Sequence, residues 1–224
     1  MCSWPQKRLR TNYQVMKIAV KDIKGNDTGR SVDLPKGVFV IEPNNHAIYL
    51  DVKQYLANQR QGTHKAKEKA EITGSTRKIK KQKGTGTARA GSIKSGVFRG
   101  GGRFFGPRPR NYGFKLNKNT KRLARKSALS LKASEKAIMV VEDFNLNAPR
   151  TQDFRAILTA LNIADKKSLF VTADVNKNVY LSSRNLTNSK VIVNSELNTY
   201  AIMNTNALVL CESAIAGIET NLSK

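Results

Sequence analysis

Cysteine and histidine are almost absent from this sequence, which has two of each in 224 residues. Cys2 and Cys211 are far apart and lack a metal-ligand spacing, and His46 and His64 have no second ligand nearby. The cysteine pattern favours a reduced, cytosolic protein over a disulfide framework. No apolar run approaches the ~20 residues of a membrane-spanning helix. A metal site and a membrane partner are therefore not expected.

Acidic residues are missing from a long internal stretch, since no Asp or Glu occurs between Glu71 and Glu135. Residues 60–136 carry 23 Lys or Arg and three Glu, a net of +20, whereas the whole chain has a net charge of +24. A nearly ordinary globular body thus contains a strongly basic insert. Such an imbalance indicates a polyanionic partner, and nucleic acid is the first candidate.

The motifs of nucleotide-using enzymes are also missing. The glycine spacing from Gly86 to Gly91 is superficially that of a P-loop, but Ser92 stands where a phosphate-binding Lys is required. The first predicted strand leads into residues 22–27 without the GxGxxG of a dinucleotide site. No nucleophile–base pair, cofactor or small-molecule substrate is predicted. Four acidic residues at strand and helix ends are expected to cap helices or face solvent: Asp143, Asp153, Asp165 and Asp174.

The chain outside the basic insert predicts an α/β fold. Short apolar strands alternate with amphipathic helices in the C-terminal half, which indicates a mostly parallel, Rossmann-like sheet in a three-layer α/β/α domain. Gly37–Ile41 forms a further apolar run. The predicted strands are residues 17–20, 138–141, 168–172, 191–193 and 207–211. Helices or helical turns are predicted after residues 44, 119 and 151, over 176–185, near 197–201, and over 215–222.

Two of these helices have specific predicted features. Asn44 or Asn45 is expected to cap the first, with an apolar face of Ile48, Val52, Tyr55 and Leu56. The pair Asn119-Thr120 is expected to cap the second, whose apolar stripe is Ala124, Ala128 and Leu131.

The predicted domain organisation is a single α/β domain over residues 16–224, interrupted by an extended segment at residues 60–114. We call residues 60–114 the basic loop. Met1–Val15 is basic and lacks the apolar centre of a secretory signal. We expect it to be a disordered extension, or an artefact of a start assigned upstream of Met16, and intact-mass measurement distinguishes the two.

The basic loop has the composition of an RNA-binding segment. It shows no sustained helical or alternating apolar period, and loops longer than about 12–15 residues are usually functional or disordered. Its Lys and Arg neutralise phosphates, and its glycines allow the backbone to approach RNA closely. Such a segment is expected to be unfolded alone and ordered by RNA. RNA is favoured over DNA because an irregular probe suits crevices. The aromatic residues expected to stack on bases are Phe98, Phe104, Phe105, Tyr112 and Phe114.

Several motifs of the basic loop are similar to those of the large-subunit ribosomal protein L-four family, of the bacterial type. The matching segments are Arg60–Thr63, Thr73–Ser75, Gln82–Gly86 with Ala88-Arg89, and Gly91–Ser95. Weaker matches are Val140–Glu142 and Arg184–Leu186, and the resemblance extends from about Met16 to the C-terminus.

This resemblance implies a structural constituent of the large ribosomal subunit that is not an enzyme. Family members place a globular α/β domain on the subunit surface and a long loop inside the ribosomal RNA. The implied partners are large-subunit ribosomal RNA, ribosomal protein L-twenty-two and the nascent peptide in the exit tunnel. A role early in subunit assembly and a cytoplasmic, ribosomal location are also implied. The residues implied to form the tunnel tip are Gln82, Lys83, Gly84, Thr85, Gly86 and Thr87.

Charge and resemblance together predict a set of RNA-binding residues. On the basic loop they are Arg60, Lys65, Lys67, Arg77, Lys78, Lys80, Lys81, Lys83, Arg89, Lys94, Arg99, Arg103, Arg108 and Arg110. In the body they are Lys121, Arg122, Arg125 and Lys126.

The sequence departs from the family pattern at two places near the tip. Ile79-Lys80 occupies positions where members often have Pro and an aromatic residue, and Thr87 replaces a usual Arg. We therefore expect a locally different constriction, with RNA contacts near Thr87 weakened or replaced. The main alternative function is a general RNA- or DNA-binding chaperone. A second, an enzyme with a nucleic-acid arm, requires a catalytic constellation that the sequence does not show.

Overall fold

The structure is a computed structural model that describes residues 16–223, so the predicted Met1–Val15 extension lies outside the described residues. The strands are β1 (Lys17–Lys21), β2 (Asp27–Asp33), β3 (Ile138–Val141), β4 (Ser168–Thr172), β5 (Ser189–Val193) and β6 (Ala207–Cys211). The helices are α1 (Lys36–Phe39), α2 (Asn45–Asn58), α3 (Lys118–Ser134), α4 (Thr151–Ala160), α5 (Lys177–Ser183), α6 (Thr199–Met203) and α7 (Glu212–Ser223), with a 3-10 turn at Asn194–Glu196.

The described chain divides into two compact units. The α/β unit contains the described residues up to Tyr55 and from Lys115 onwards, and the second unit is Leu56–Phe114. All six strands belong to the α/β unit and form one sheet in the order β2-β1-β3-β6-β4-β5. Every strand pair is parallel except β1–β2, which is antiparallel. The predicted α/β class with a mostly parallel sheet is confirmed.

Two hydrophobic cores show that helices cover both faces of the sheet. Val140 and Leu210 contribute to one core, which also takes buried residues from α1, α2, α3, α6 and α7. Their neighbours Val141 and Val209 contribute to the other, together with α4 and α5. Successive strand side chains point to opposite faces, so a strand buried on both sides is apolar throughout. This arrangement is the predicted three-layer α/β/α domain.

Strand β2 was not predicted, because its sequence lacks apolar alternation. Of its seven residues, DTGRSVD, none is buried. It pairs only with β1, with Ile18 opposite Val32, and Gly29 adopts a positive φ of 76° within it. A half-exposed antiparallel edge strand gains mainly backbone hydrogen bonds, which leave no hydrophobic signature in the sequence. The apolar run Gly37–Ile41 folds mostly as the short helix α1.

Helix α2 confirms one predicted feature and corrects another. The side chain of Asn44 accepts a hydrogen bond from the backbone N–H of Ala47 at 3.0 Å, as expected of an N-cap. Ile48 is buried, but Leu56 is 44% exposed, so the predicted apolar face is wrong at its C-terminal end. The buried face instead includes Asp51, whose carboxylate accepts a hydrogen bond from the hydroxyl of Thr199.

The predicted cap of helix α3 is also wrong. Asn119 and Thr120 lie inside the first turn, because the helix begins at Lys118 after Asn117. The side chain of Asn117 makes no capping hydrogen bond. The first-turn N–H groups of α3 therefore lack the side-chain acceptor that usually satisfies one of them.

Cys211, the last residue of β6, should react slowly with alkylating reagents. Burial, reinforced by the Asp143 carboxylate, raises the pKa of its thiol from 9.0 to about 12. At pH 8 this shift lowers the thiolate fraction about 1000-fold, so we expect iodoacetamide to modify native Cys211 at least about 100-fold more slowly than the urea-unfolded chain. Peptide mass spectrometry measures both rates, and equal rates would contradict the buried site. The Cys211 thiol has a higher pKa in the folded chain than in the unfolded chain, so the folded state holds this proton more tightly. Its contribution to the free energy of unfolding is therefore complete below about pH 9 and is lost as the pH rises towards 12.

Candidate nucleic-acid interface

The basic loop contains none of the strands and no helix, but its two limbs are joined by backbone hydrogen bonds. Near the start, the N–H of Ala66 donates to the carbonyl of Pro107 at 3.0 Å, and the N–H of Arg103 to that of Lys67 at 3.0 Å. Further along, the N–H of Ile79 donates to the carbonyl of Gly91 at 3.0 Å. The outgoing and returning limbs therefore run antiparallel, which apolar periodicity could not reveal.

No side chain of residues 60–114 is buried. The segment carries 15 Lys or Arg and two Glu, a net charge of +13. Both carboxylates are paired, Glu71 with Lys65 and Glu68 with Arg108. The hydrogen bond from Lys65, followed by one from the backbone N–H of Glu68, lowers the pKa of Glu71. Within residues 16–223 the other predicted RNA-binding residues of the loop have no ion-pair partner.

The two ends of the basic loop meet at a cluster around Tyr112. The guanidinium carbons of Arg60 and Arg110 lie 3.9 and 4.5 Å from the centre of the Tyr112 ring. The hydroxyl of Tyr112 lies 3.1 Å from Nε2 of His64, and the two rings are stacked. Gly62 has a φ of 65°, and a Cβ there would overlap the carbonyl oxygen of Arg110. These contacts occupy Tyr112 within the protein, so it is a weaker candidate for base stacking than the sequence suggested.

The aromatic side chains of the returning limb remain accessible. Phe105 is completely exposed and its neighbour Phe104 is 65% exposed. The edge of the Phe104 ring packs where a Cβ of Gly96 would otherwise lie. Exposed phenylalanines on a cationic segment are typical of surfaces that stack on unpaired bases.

The predicted tip, Gln82–Thr87, lies beyond Ile79–Gly91, the last backbone hydrogen bond between the limbs. All of these tip residues are exposed, and Gly84 and Gly86 have positive φ angles of 80° and 63°. Such angles favour glycine, so the backbone conformation of the tip explains why glycine stands on both sides of Thr85. Nζ of Lys80 donates to Oγ1 of Thr87 at 2.6 Å. The two positions that depart from the family pattern are therefore in contact.

The basic residues of α3 lie at a pocket of the α/β unit. Lys121, Arg122 and Arg125, predicted from sequence, line a cavity of about 300 Å³, whereas Lys126 does not. Lys118 extends this cationic wall by one turn and was not predicted. The remaining lining residues come from the 3-10 turn, the residue that follows it, and α7: Asn194, Ser195, Leu197, Ile218, Asn221 and Leu222. They could not be found from sequence, because 60 residues or more separate them from the end of α3 at Ser134.

The carboxyl edge of the sheet, where α/β enzymes usually have their active sites, has a second cavity. Asp143 accepts a hydrogen bond from the hydroxyl of Ser213 at 2.6 Å there, and Cys211 lines the same cavity. Residues 16–223 contain no group of three or more His, Cys, Asp or Glu side chains placed to hold a metal ion. No described helix is both long and apolar enough to span a bilayer.

Comparison with known proteins decides the family. Residues 32–221 match the model of the ribosomal protein L4/L1 family, which is most of the chain. The chain belongs to the ribosomal protein L4/L1 family. The resemblance found in the loop motifs is thereby confirmed, and with it the expectation of a ribosomal protein in the cytoplasm.

The curated relatives match at high identity and over their full lengths. Large ribosomal subunit protein uL4 of Christiangramia forsetii is 70% identical over 208 residues, covering 93% of this chain and 100% of the relative. The uL4 proteins of Flavobacterium johnsoniae and Cytophaga hutchinsonii are 68% and 58% identical, each covering 93% of this chain and all of the relative. The L4/L1 match includes the basic loop, α3 and the 3-10 turn.

Proposed function

We propose that this L4/L1 family member is a structural constituent of the large ribosomal subunit that binds large-subunit ribosomal RNA through the basic loop and α3. The observation that carries the proposal is the basic loop itself. It has a net charge of +13 and no buried side chain, and the chain continues from both of its ends into the α/β unit. Neutralising RNA phosphates releases counterions, which supplies the driving force. The body docks on RNA, and the loop enters crevices between RNA helices.

Loop ordering should be coupled to binding. Fixing a residue's backbone costs about 1–2 kcal/mol, and residues 60–114 bury no side chain that would offset this cost. RNA that surrounds the loop supplies the missing contacts. This coupling suits a role early in subunit assembly, because a protein that orders together with RNA stabilises the RNA fold around it.

We also propose that the tip, Gln82–Thr87, lines the constriction of the nascent-peptide exit tunnel beside a loop of ribosomal protein L-twenty-two. Its support is the family resemblance and the position of the tip beyond the last backbone hydrogen bond between the limbs. An exposed, cationic and glycine-rich turn also fits a passage walled by RNA. The protein acts there as a structural element, with no catalytic step.

The contact between Lys80 and Thr87 makes a testable prediction about the altered tip. Lys80, held across the turn by Thr87, supplies the cation that position 87 lacks. Lys80→Ala should therefore flatten the slope of log affinity for ribosomal RNA against log salt by about 0.7, the contribution of one phosphate contact. Thr87→Val removes only the acceptor and should leave that slope unchanged. A map of the assembled subunit in which Thr87 itself makes the RNA contact of an arginine would contradict this account.

A competition experiment separates this function from a general nucleic-acid chaperone. The full chain is bound to labelled large-subunit ribosomal RNA and challenged with equal masses of duplex DNA or unrelated RNA. We expect unlabelled ribosomal RNA to compete at least about 1000-fold better, the lower end of specificity ratios for nucleic-acid-binding proteins. Equal competition by all three would favour the chaperone. An enzyme with a nucleic-acid arm would instead cleave or modify the bound RNA, which gel analysis of the recovered RNA detects.

A further inference from the structure

The pocket beside α3 has two chemically different walls. Lys118, Lys121, Arg122 and Arg125 form one wall, and no acidic residue of the described part of the chain lines the cavity. The rest of the lining combines the carboxamides of Asn194 and Asn221 with small exposed portions of three side chains that are otherwise buried in a hydrophobic core, Leu197, Ile218 and Leu222. Cationic side chains bind a phosphate, whereas carboxamides offer both a donor and an acceptor to the edge of a base. Bare surface lysines would not provide the second wall.

Several features indicate that the cationic wall lacks a ligand within the protein. Nε of Arg125 is buried and has no hydrogen-bond partner among residues 16–223. None of the four cations forms an ion pair within residues 16–223. Two of them, Lys118 and Lys121, stand in the first turn of α3, where Asn117 leaves the N–H groups without a side-chain cap. The positive end of a 17-residue helix therefore adds to the attraction for an anion.

The second wall depends on a glycine. A Cβ at Gly217, in α7, would overlap the carboxamide of Asn194. The absence of a side chain at Gly217 thus allows Asn194 to approach α7 and close the pocket. The resulting cavity of about 300 Å³ is at the lower end of the range of ligand pockets, about 300–1,000 Å³. That volume suits one nucleotide.

We propose that this pocket receives a single unstacked nucleotide of large-subunit ribosomal RNA. Its phosphate lies against Lys118, Lys121 and Arg122, and its base forms hydrogen bonds with the carboxamides of Asn194 and Asn221. Proteins recognise RNA mainly through such splayed-out nucleotides, because the deep groove of an A-form helix is inaccessible to side chains. This inference rests on the proposed function and adds to it one site of base recognition on the body, distinct from the basic loop.

Two lysines of α3 provide a matched test in the full-length chain. Lys121 lines the pocket, and Lys126, equally half-buried on the same helix, does not. With purified large-subunit ribosomal RNA as the probe, Lys121→Ala should weaken binding about tenfold, whereas Lys126→Ala removes one phosphate contact outside the pocket and should weaken binding about threefold. Equal losses for the two variants would overturn the pocket, because general electrostatic attraction would then explain both.

A third variant tests the pocket without changing its charge. Gly217→Ala displaces Asn194, so it should weaken binding about threefold or more while the salt slope stays that of the wild type. Thermal unfolding by circular dichroism verifies that each variant is folded. Wild-type affinity in folded Gly217→Ala would count against base recognition at this wall.

Ultraviolet cross-linking of the wild-type complex, followed by peptide mass spectrometry, needs no variant. We expect a nucleotide adduct on the peptides that contain Asn194–Leu197 or Ile218–Leu222. Adducts confined to the basic loop would exclude the pocket while leaving the proposed function intact. If ribosomal RNA and duplex DNA compete equally for the wild type, the proposed function itself fails and this inference fails with it.

Discussion

Replacing Gly62–Arg110 with a short Gly-Ser linker is expected to leave a folded α/β body that has lost most of its affinity for ribosomal RNA. The deleted segment contains 14 Lys or Arg and two Glu, and it buries no side chain. For single-stranded RNA the slope of log affinity against log salt is about −0.7 per neutralised phosphate. If about half of these cations contact phosphates, the slope should shrink by about 5 and affinity at physiological salt should fall at least about 1000-fold.

A second variant separates the charge of the loop from its length. It keeps the length of the Gly62–Arg110 segment but replaces every Lys and Arg within it by Gln. We expect its salt slope to match that of the deletion, because charge sets the slope. Both variants should retain the far-ultraviolet circular dichroism of a folded α/β protein. A salt slope unchanged by either variant would contradict the assignment of the loop as the main RNA-binding element.

Two phenylalanines are expected to have opposite effects on stability and on RNA binding. Phe170 in β4 is completely buried and packs edge-to-face on Phe154, with ring centres 5.2 Å apart. Phe170→Ala should lower the free energy of unfolding by about 3–5 kcal/mol, because it removes buried apolar surface and leaves a cavity. Phe105→Ala, at a fully exposed position, should change that free energy by about 0.5 kcal/mol or less.

The ranking should reverse for RNA affinity. Phe105→Ala should weaken binding to ribosomal RNA by about 1–3 kcal/mol, the contribution of one stacked base. Phe170→Ala should bind normally at temperatures where it remains folded, since the side chain faces a hydrophobic core. Urea unfolding and RNA titration of the same two preparations measure both quantities. Wild-type RNA affinity in Phe105→Ala would mean that this ring contacts no base.

Much of the α/β unit follows from sequence, because buried strands and amphipathic helices leave strong apolar patterns. Along α4 and its C-cap residue, the apolar side chains of Phe154, Ile157, Leu158 and Leu161 recur at helical spacing and are all buried. The apolar pattern fails where an element buries few side chains or buries polar ones. Strand β2 has no fully buried residue, and α2 buries Asp51 against the hydroxyl of Thr199, which no apolar period can indicate.

The RNA-binding surface is predictable in composition but not in geometry. The absence of acidic residues locates the basic loop, and the spacing of Lys121, Arg122 and Arg125 locates the cationic side of α3. The contact between Arg60 and Tyr112 joins residues that are 52 positions apart, and the pocket adds Asn194 from a distant turn. Only the folded chain brings such residues together, so their roles could not be inferred from local sequence.

The central claim is that this protein is an integral part of the large ribosomal subunit. The most direct measurement is sucrose-gradient fractionation of cell lysate after a high-salt wash, with the protein quantified by mass spectrometry. We predict about one copy per large subunit, retained through the wash, because many phosphate contacts and a loop ordered within RNA resist dissociation. Loss of the protein in the wash, or its recovery at the top of the gradient, would contradict that claim.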